Sequence, residues 1–169
     1  MRARLGIDKV DPREEITEMN LQLKWQWQAF HDLTAVALYD ILRLRAEVFV
    51  VEQRSIFQDM DQVDLPALHV CGHDQAGELR AYARCIPAGI KYPAASIGRV
   101  VTSPQVRGTG LGHVLVRQSI DCIHHQLGEG PIRISAQAHL QAFYAQHGFA
   151  ADGEPYFEDD IPHQAMERP

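Results

Sequence analysis

A glycine-rich turn joins a strand-like run to a long helical stretch in the second half of this chain. The strand-like run covers residues 96 to 102, and apolar residues recur at roughly helical spacing from Leu111 to Leu127. The turn between them reads Arg107, Gly108, Thr109, Gly110, Leu111, Gly112. The first N–H groups of a helix lack internal partners and carry the positive end of its dipole. Glycines also let a ligand approach the backbone closely. The segment therefore predicts a cradle for a pyrophosphate, to which Arg107 adds charge.

Two common phosphate-binding motifs do not fit this turn. No Gly-Lys-Ser/Thr follows the glycines, as a P-loop requires, and the G-x-G-x-x-G spacing of a dinucleotide site is absent. The alternative to a phosphate cradle is an ordinary glycine-rich turn that only precedes the helix.

Length and charge limit the remaining possibilities. With 169 residues, 46% of them hydrophobic, the chain has the size of one domain. Residues 1–20 show no sustained period and are predicted to be a flexible tail, which leaves 21–169 as the single domain. A net charge of −6 argues against binding to nucleic acid or to an anionic membrane and suits a cationic partner better.

The sequence shows no sign of a membrane span, a secretory signal or a metal site. No apolar run approaches the roughly 18 residues of a span, and the first residues lack the apolar core of a signal peptide, so we expect a cytoplasmic protein. The three cysteines are widely spaced, without the pairing typical of zinc or redox sites, and are expected to be buried free thiols.

Hydrophobic periodicity predicts the order β, α, three strands, then α, β, α, β. This order favours an α/β (α+β) fold with a mixed, mainly antiparallel sheet flanked by helices. The run 48–51 is predicted to be extended, and the polar, acidic stretch 52–66 to be a functional loop. The strands are predicted at 21–30, 69–72, 78–86, 96–102, 132–136 and 163–167, and the helices from Thr34 to Val48, at 111–127 and at 139–147.

Two motifs resemble a known family. Residues 104–112, followed by the helix, resemble motif A of the GNAT N-acetyltransferases, and Tyr144-Ala145-Gln146-His147-Gly148-Phe149 resembles their Y-x-x-x-G-F motif. The resemblance covers about residues 25 to 168. Further stretches are similar to the ElaA-type branch of the family, namely 44–53, 81–84, 97–100, 136–141 and 161–163.

The resemblance implies the GNAT fold and acetyl-CoA as cosubstrate. Tyr144 would be the general acid that reprotonates the CoA thiolate, and Gln137 stands where the family often has an Asn that contacts the cofactor. The strand before the turn would contact the pantetheine arm and the turn would hold the pyrophosphate. The cofactor-binding residues implied are Val100, Val101, Thr102, Arg107, Gly108, Thr109, Gly110, Leu111, Gly112 and Gln137.

The acceptor side is less defined. A protonated amine must lose a proton before it attacks, yet the strand segment 97–99 lacks the carboxylate that usually serves as base. The candidate bases are Glu47, Glu52, His69, Asp61 and His163, with a water chain as the alternative. Three arginines in apolar segments need acidic partners, expected among Glu47, Glu52 and Asp61, either at the acceptor pocket or in a purely structural role. The predicted acceptor-site residues are Arg45, Glu52, Asp61, His69, Arg84 and Arg99.

The sequence therefore predicts an N-acetyltransferase in which an amine attacks acetyl-CoA directly. The acceptor is expected to be cationic, such as a polyamine, an amino sugar or a protein lysine, and a homodimer through exposed strand edges stays open. Two alternatives remain: an acyl-homoserine lactone synthase, which shares the fold and the strand arginines, and a non-catalytic acyl-CoA-binding module.

Overall fold

The computed structural model describes residues 22–169. The predicted tail and the predicted strand start at Leu21 lie outside the described residues. The strands are β1 Lys24–Ala29, β2 Leu68–His73, β3 Leu79–Ile86, β4 Ala95–Thr102, β5 Ile132–Gln137, β6 Ala150–Ala151, β7 Tyr156–Glu158 and β8 Ile161–Arg168. The α-helices are α1 Ala35–Arg45, α2 Leu111–Leu127 and α3 Gln141–Ala145.

The strands form a single mixed sheet in the order β1-β2-β3-β4-β5-β8-β6, with β7 also paired to β8. Strands β4 and β5 are parallel, and every other neighbouring pair is antiparallel. This arrangement confirms the predicted mixed, mainly antiparallel sheet. The parallel pair arises because α2 carries the chain from the end of β4 back to the start of β5.

The two faces of the sheet bury separate apolar clusters. Side chains of α2 pack with Val70, Ala81 and Ala83 in one cluster, whereas α1 packs with Cys71 and Tyr82 in the other. Successive strand residues point to opposite faces, so the two helices cover opposite sides of the sheet. All three cysteines are buried and free, as predicted. None of the helices within residues 22–169 combines the length and hydrophobicity needed to cross a bilayer.

Helix α1 begins where the sequence predicts but continues further than predicted. Thr34 caps it, as predicted, because its hydroxyl accepts the Ala37 N–H at 3.1 Å. The prediction that residues 48–51 are extended is wrong, because Ala46–Glu52 continues α1 as a π-helical segment. The wider turns keep Val48 buried with the α1 cluster while the helix runs on to Glu52.

The end of the chain contains two strands that the sequence did not predict, β6 and β7. They have two and three residues and pair only with β8, so they are too short to show an alternating pattern. The predicted helix 139–147 is shorter, with a 3-10 turn at Ala138–Leu140 followed by α3. Strand β8 extends beyond the predicted residues 163–167 at both ends.

Candidate active site

The parallel strands β4 and β5 separate soon after they meet. Their recorded pairs are Ala95 with Ile132 and Ser96 with Arg133. Further along, residues 97–100 of β4 and 134–137 of β5 line a cavity of about 310 Å³. Backbone N–H and C=O groups in such a gap are open to a ligand, and an extended chain with amide groups is suited to pair with them.

A β-bulge at Arg99 accompanies the separation. Tyr82 pairs with Val101 and Arg84 with Gly98, so two residues of β4 lie opposite one residue of β3. Arg99 has a φ of 52°, in the left-handed region that non-glycine residues rarely adopt. The bulge bends β4 at the point where it faces the cavity, which is a common position for bulges at active sites.

The glycine-rich turn has the geometry expected of an anion cradle. Gly108 and Gly110 have φ values of 77° and 82°, and a Cβ built on either would meet no atom within 4 Å. Gly110 is the residue that precedes α2, and no side chain caps the helix there. The first N–H groups of a 17-residue helix therefore face an open backbone surface. These residues fit a pyrophosphate.

Arg107 is already ion-paired. Its Nη1 donates to Oε1 of Glu52 at 2.6 Å, and both side chains are partly exposed. The hydrogen bond from Arg107 holds the pKa of Glu52 below its ordinary value. The predicted acceptor-site residue Glu52 thus lies against the predicted cofactor-site residue Arg107 and does not line the cavity.

Tyr144 lines the cavity from the α2 side of the sheet. It is 7% exposed and packs edge-to-face on Phe143 and Phe149, at centroid distances of 5.0 and 5.9 Å. Burial raises the pKa of its hydroxyl to about 12. Tyr144 is therefore protonated at neutral pH, as a general acid must be before it donates.

The loop of residues 53–66 is fastened to the sheet by an arginine–aspartate network. Arg45 donates to Asp59 at 3.0 Å and to Asp64 at 2.8 Å. Arg84 donates to Asp64 at 2.9 Å, and it is as fully buried as Arg45. Members of the network come from α1, β3, β4 and the loop, and they are Arg45, Arg84, Arg99, Asp59, Asp61 and Asp64.

Two members of this network reach the cavity, namely Arg99 and Asp61. Arg99 donates from Nε to Asp59 at 2.7 Å and lies over the ring of Phe57 at 5.0 Å, which holds its unusual backbone conformation in place. Asp61 accepts from Arg84 at 2.6 Å and from Arg99 at 3.4 Å. Partial burial favours the protonated form of Asp61, but Arg84 and Arg99 outweigh it and lower its pKa to about 2.

The prediction of acidic partners for Arg45, Arg84 and Arg99 is thus only partly right. Asp61 belongs to the network, whereas Glu47 and Glu52 do not, and Asp59 and Asp64 take the remaining positions. Glu52 pairs with Arg107 instead. Both aspartates lay in the acidic stretch that was predicted to be functional.

His69 is a structural residue of the core. It is fully buried, its Nδ1 lies 2.8 Å from the Tyr82 hydroxyl, and its Nε2 lies 3.0 Å from the carbonyl of Asp64. Burial lowers the pKa of its imidazole. Both ring nitrogens have partners and neither faces the cavity, which corrects the prediction that His69 contacts the acceptor or acts as base.

The cavity gathers some of the predicted site residues and leaves others apart. The predicted site residues that do not line the cavity are Arg45, Arg84, Glu52, His69, Val101, Thr102 and the glycine-rich turn. Sequence reasoning missed several polar side chains that line the cavity, and all of these except Ser135 of β5 lie on short or irregular elements. The predicted residues that line the cavity are Asp61, Arg99, Val100, Gln137, Tyr144 and His163, and the polar ones missed include Lys91, Ser135, His139, Glu158 and Asp159.

Comparison with known proteins gives the family. The sequence model of a protein family described as the acetyltransferase (GNAT) domain matches residues 36–168 of this chain. A UPF0039 protein of Synechocystis is 42% identical over 149 residues, which cover 86% of this chain and 95% of the relative. The chain belongs to the GNAT acetyltransferase family and to its ElaA-like branch, and it is an acyltransferase.

Solved structures agree in fold with this assignment. An acyl-CoA N-acyltransferase from Pseudomonas aeruginosa superposes with a TM-score of 0.83 at 42% identity, and ElaA from Escherichia coli with 0.81 at 37%. Each match covers 88% of this chain and 100% of the other. A CoA-dependent acyl-homoserine lactone synthase, at 14% identity and a TM-score of 0.70, has a similar fold and supports nothing further.

Proposed function

We propose that this protein transfers an acetyl group from acetyl-CoA directly to an amine. The observation that carries the proposal is the gap between β4 and β5. Tyr144 lines this gap, and β4, which borders it, leads directly into the glycine-rich turn. In this proposal the turn holds the pyrophosphate and the exposed edge of β4, at Val100 to Thr102, pairs with the amides of the pantetheine arm. The thioester then lies in the gap beside Tyr144.

The chemistry follows from this position. A neutral amine attacks the thioester carbonyl, and the C–S bond breaks as the sulfur gains a proton from the Tyr144 hydroxyl. A buried phenol holds its proton more tightly than a thiol, so Tyr144 must regain a proton in the same step. The nitrogen of the tetrahedral intermediate has to lose a proton. We propose that this proton returns to the Tyr144 hydroxyl.

A cationic acceptor is supported by carboxylates that line the cavity, and not by the acidic loop from which it was first expected. The carboxylates of Glu52, Asp59, Asp61 and Asp64 are all ion-paired with arginines, so the loop contributes little net field. Glu158 and Asp159 also line the cavity and are exposed. We propose that these two carboxylates attract the amine, in a cytoplasmic enzyme that acts as a monomer or a homodimer.

The proposal is tested with acetyl-CoA and a panel of spermidine, glucosamine and a lysine peptide. We expect acetyl-CoA to raise the melting temperature and at least one amine to release the thiol. Binding without turnover on a broad amine panel would favour an acyl-CoA-binding module. Formation of a lactone from S-adenosylmethionine and an acyl donor would favour a homoserine lactone synthase.

The role of Tyr144 is tested by Tyr144→Phe, which removes the hydroxyl and keeps the ring packing. We expect kcat to fall by about 10²-fold or more, with acetyl-CoA affinity within twofold of the wild type. Tyr39→Phe is the matched control, because Tyr39 is 68% exposed on α1 and does not line the cavity. Equal activity of the two variants would remove Tyr144 from the mechanism.

A further inference from the structure

An acceptor amine arrives at neutral pH as an ammonium ion and must give up a proton before it attacks. Strand β4 offers no carboxylate for this purpose, because the residues of β4 that line the cavity are Ser96, Ile97, Gly98, Arg99 and Val100. Arg99 is a permanent cation and cannot accept a proton. The base must therefore come from another wall of the cavity.

We infer that His163 is this base and that its Nε2 takes the proton from the acceptor. The inference rests on the proposed function, and it names a residue that acts in that same site. His163 lies on β8, lines the cavity and is partly buried. Its register partner on β5 is Gln137, so β8 places the imidazole one strand away from the gap in which the thioester is proposed to lie.

The hydrogen bonding of His163 sets its tautomer. Nδ1 lies 2.8 Å from the carbonyl oxygen of Ile161, and a carbonyl can only accept. The proton of the neutral ring is therefore on Nδ1, which leaves the lone pair on Nε2. The ring also stacks on Tyr156, its register partner on β7, with centroids 6.1 Å apart and planes 25° from parallel. His163 is thus held from two sides with Nε2 as the proton acceptor.

His163 and Tyr144 lie on opposite faces of the sheet. Ile134 and Ala136 of β5 belong to the same core cluster as Tyr144. Gln137, the next residue, points to the other face, and directly paired strand residues share a face. His163 therefore approaches the gap from the side opposite Tyr144. His163 can therefore take a proton from the incoming ammonium on one face, while Tyr144 serves the tetrahedral intermediate from the other.

The other groups around the cavity are less suited to this role. Asp61 is bound by two arginines, and Glu158 accepts a hydrogen bond from Ser135 at 2.9 Å. His139 also lines the cavity, but within residues 22–169 no hydrogen bond fixes its ring. Glu158, the last residue of β7, and Asp159, in the turn before β8, also line the cavity and favour an approaching cation.

The protons balance as follows. An ammonium group has three protons, and the amide product keeps one. His163 takes the first and passes it to solvent after the acyl transfer. The C–N bond then forms, Tyr144 gives its proton to sulfur as the C–S bond breaks, and Tyr144 regains the second proton from nitrogen. Each turnover thus yields one amide, one thiol and one released proton.

The experiment compares His163→Gln with the matched variant His31→Gln, at an exposed histidine that does not line the cavity, using whichever amine of the panel the wild type acetylates. We expect His163→Gln to lower kcat/KM by about 10²- to 10⁴-fold near neutral pH, with acetyl-CoA affinity unchanged. The deficit should shrink as the pH approaches the pKa of the amine, because the free amine needs no base. His31→Gln should stay within threefold of the wild type at every pH.

A second variant separates catalysis from folding. His163→Ala should regain activity on addition of imidazole, which a purely structural role of His163 would not produce. The inference is overturned if His163→Gln keeps kcat/KM within threefold, or if its deficit is the same at all pH values and imidazole restores nothing. Absence of turnover by the wild type on every amine would instead overturn the proposed function, and this inference with it.

Discussion

The glycine-rich turn and the loop of residues 53–66 are built by different means. The turn owes its shape to backbone conformation, with Gly108 and Gly110 at positive φ and open space where their side chains would be. The loop has no regular structure, and its shape comes from three aspartates that reach arginines on α1, β3 and β4. One region presents main-chain groups to a ligand, and the other uses side chains to fasten itself.

The difference matches the ligands that the two regions are proposed to serve. A pyrophosphate is the same in every reaction of the family, and main-chain N–H groups bind it without help from particular side chains. An acceptor varies from enzyme to enzyme, and a loop that carries Phe57 and Asp61 to the cavity wall can change its sequence while its anchors stay fixed. We therefore expect stability to depend on the loop anchors and cofactor affinity on the turn.

The largest expected effect of this contrast is the loss of stability in Arg84→Met. Arg84 is buried, and its removal leaves Asp64 and Asp61 each short of one partner. Breaking a buried ion pair from one side costs about 3 to 5 kcal/mol, and we expect the low end because Arg45 and Arg99 remain. Urea unfolding measures this change.

Arg80→Met is the matched control for Arg84→Met. Arg80 lies on the same strand and pairs with Asp74 at 2.7 Å, but its side chain is 24% exposed. Such a pair contributes about 1 kcal/mol or less. If Arg84→Met were no less stable than Arg80→Met, the network would not be the anchor of the loop. The folded Arg84→Met protein should still bind acetyl-CoA.

The next effect in size concerns the turn, in Gly110→Glu. The added carboxylate would meet the proposed pyrophosphate, so we expect acetyl-CoA affinity to fall by about 100-fold, or roughly 2.8 kcal/mol. Gly110→Ala is the control, because both variants place a Cβ at a φ of 82° and share the same backbone cost of about 1 to 2 kcal/mol. Calorimetric titration with acetyl-CoA should separate them; equal affinities would mean that the turn only precedes the helix.

These two regions also differ in how well the sequence predicted them. The turn was recognised because all its determinants are consecutive, from Arg107 to Gly112. The network was predicted only as a need for acidic partners, and two of its three aspartates were missed. Its ion pairs join residues 14 to 40 positions apart, so they depend on how strands and loop come together in space.

The same reasoning accounts for the other differences between expectation and structure. The order of the longer strands and helices along the chain followed from periodicity, since burial of one face imposes a regular apolar pattern over many residues. The β-bulge could not be predicted, because Arg99 is not a residue that favours positive φ and its conformation is held by Asp59 and Phe57. The continuation of α1 as a π-helix likewise overrides the extended tendency of Val48 to Val51.

The smallest expected effect concerns the ion pair between Arg107 of the turn and Glu52, the last residue before the loop. If Arg107 binds the pyrophosphate, acetyl-CoA competes with Glu52 for its guanidinium. We expect Glu52→Gln to tighten acetyl-CoA binding by about two- to threefold at low salt, with less change at high salt because exposed pairs are screened. Glu47→Gln removes the same charge from the same helical segment without touching Arg107, and it should change affinity less. Weaker binding in Glu52→Gln would show instead that Glu52 orients Arg107 toward the cofactor.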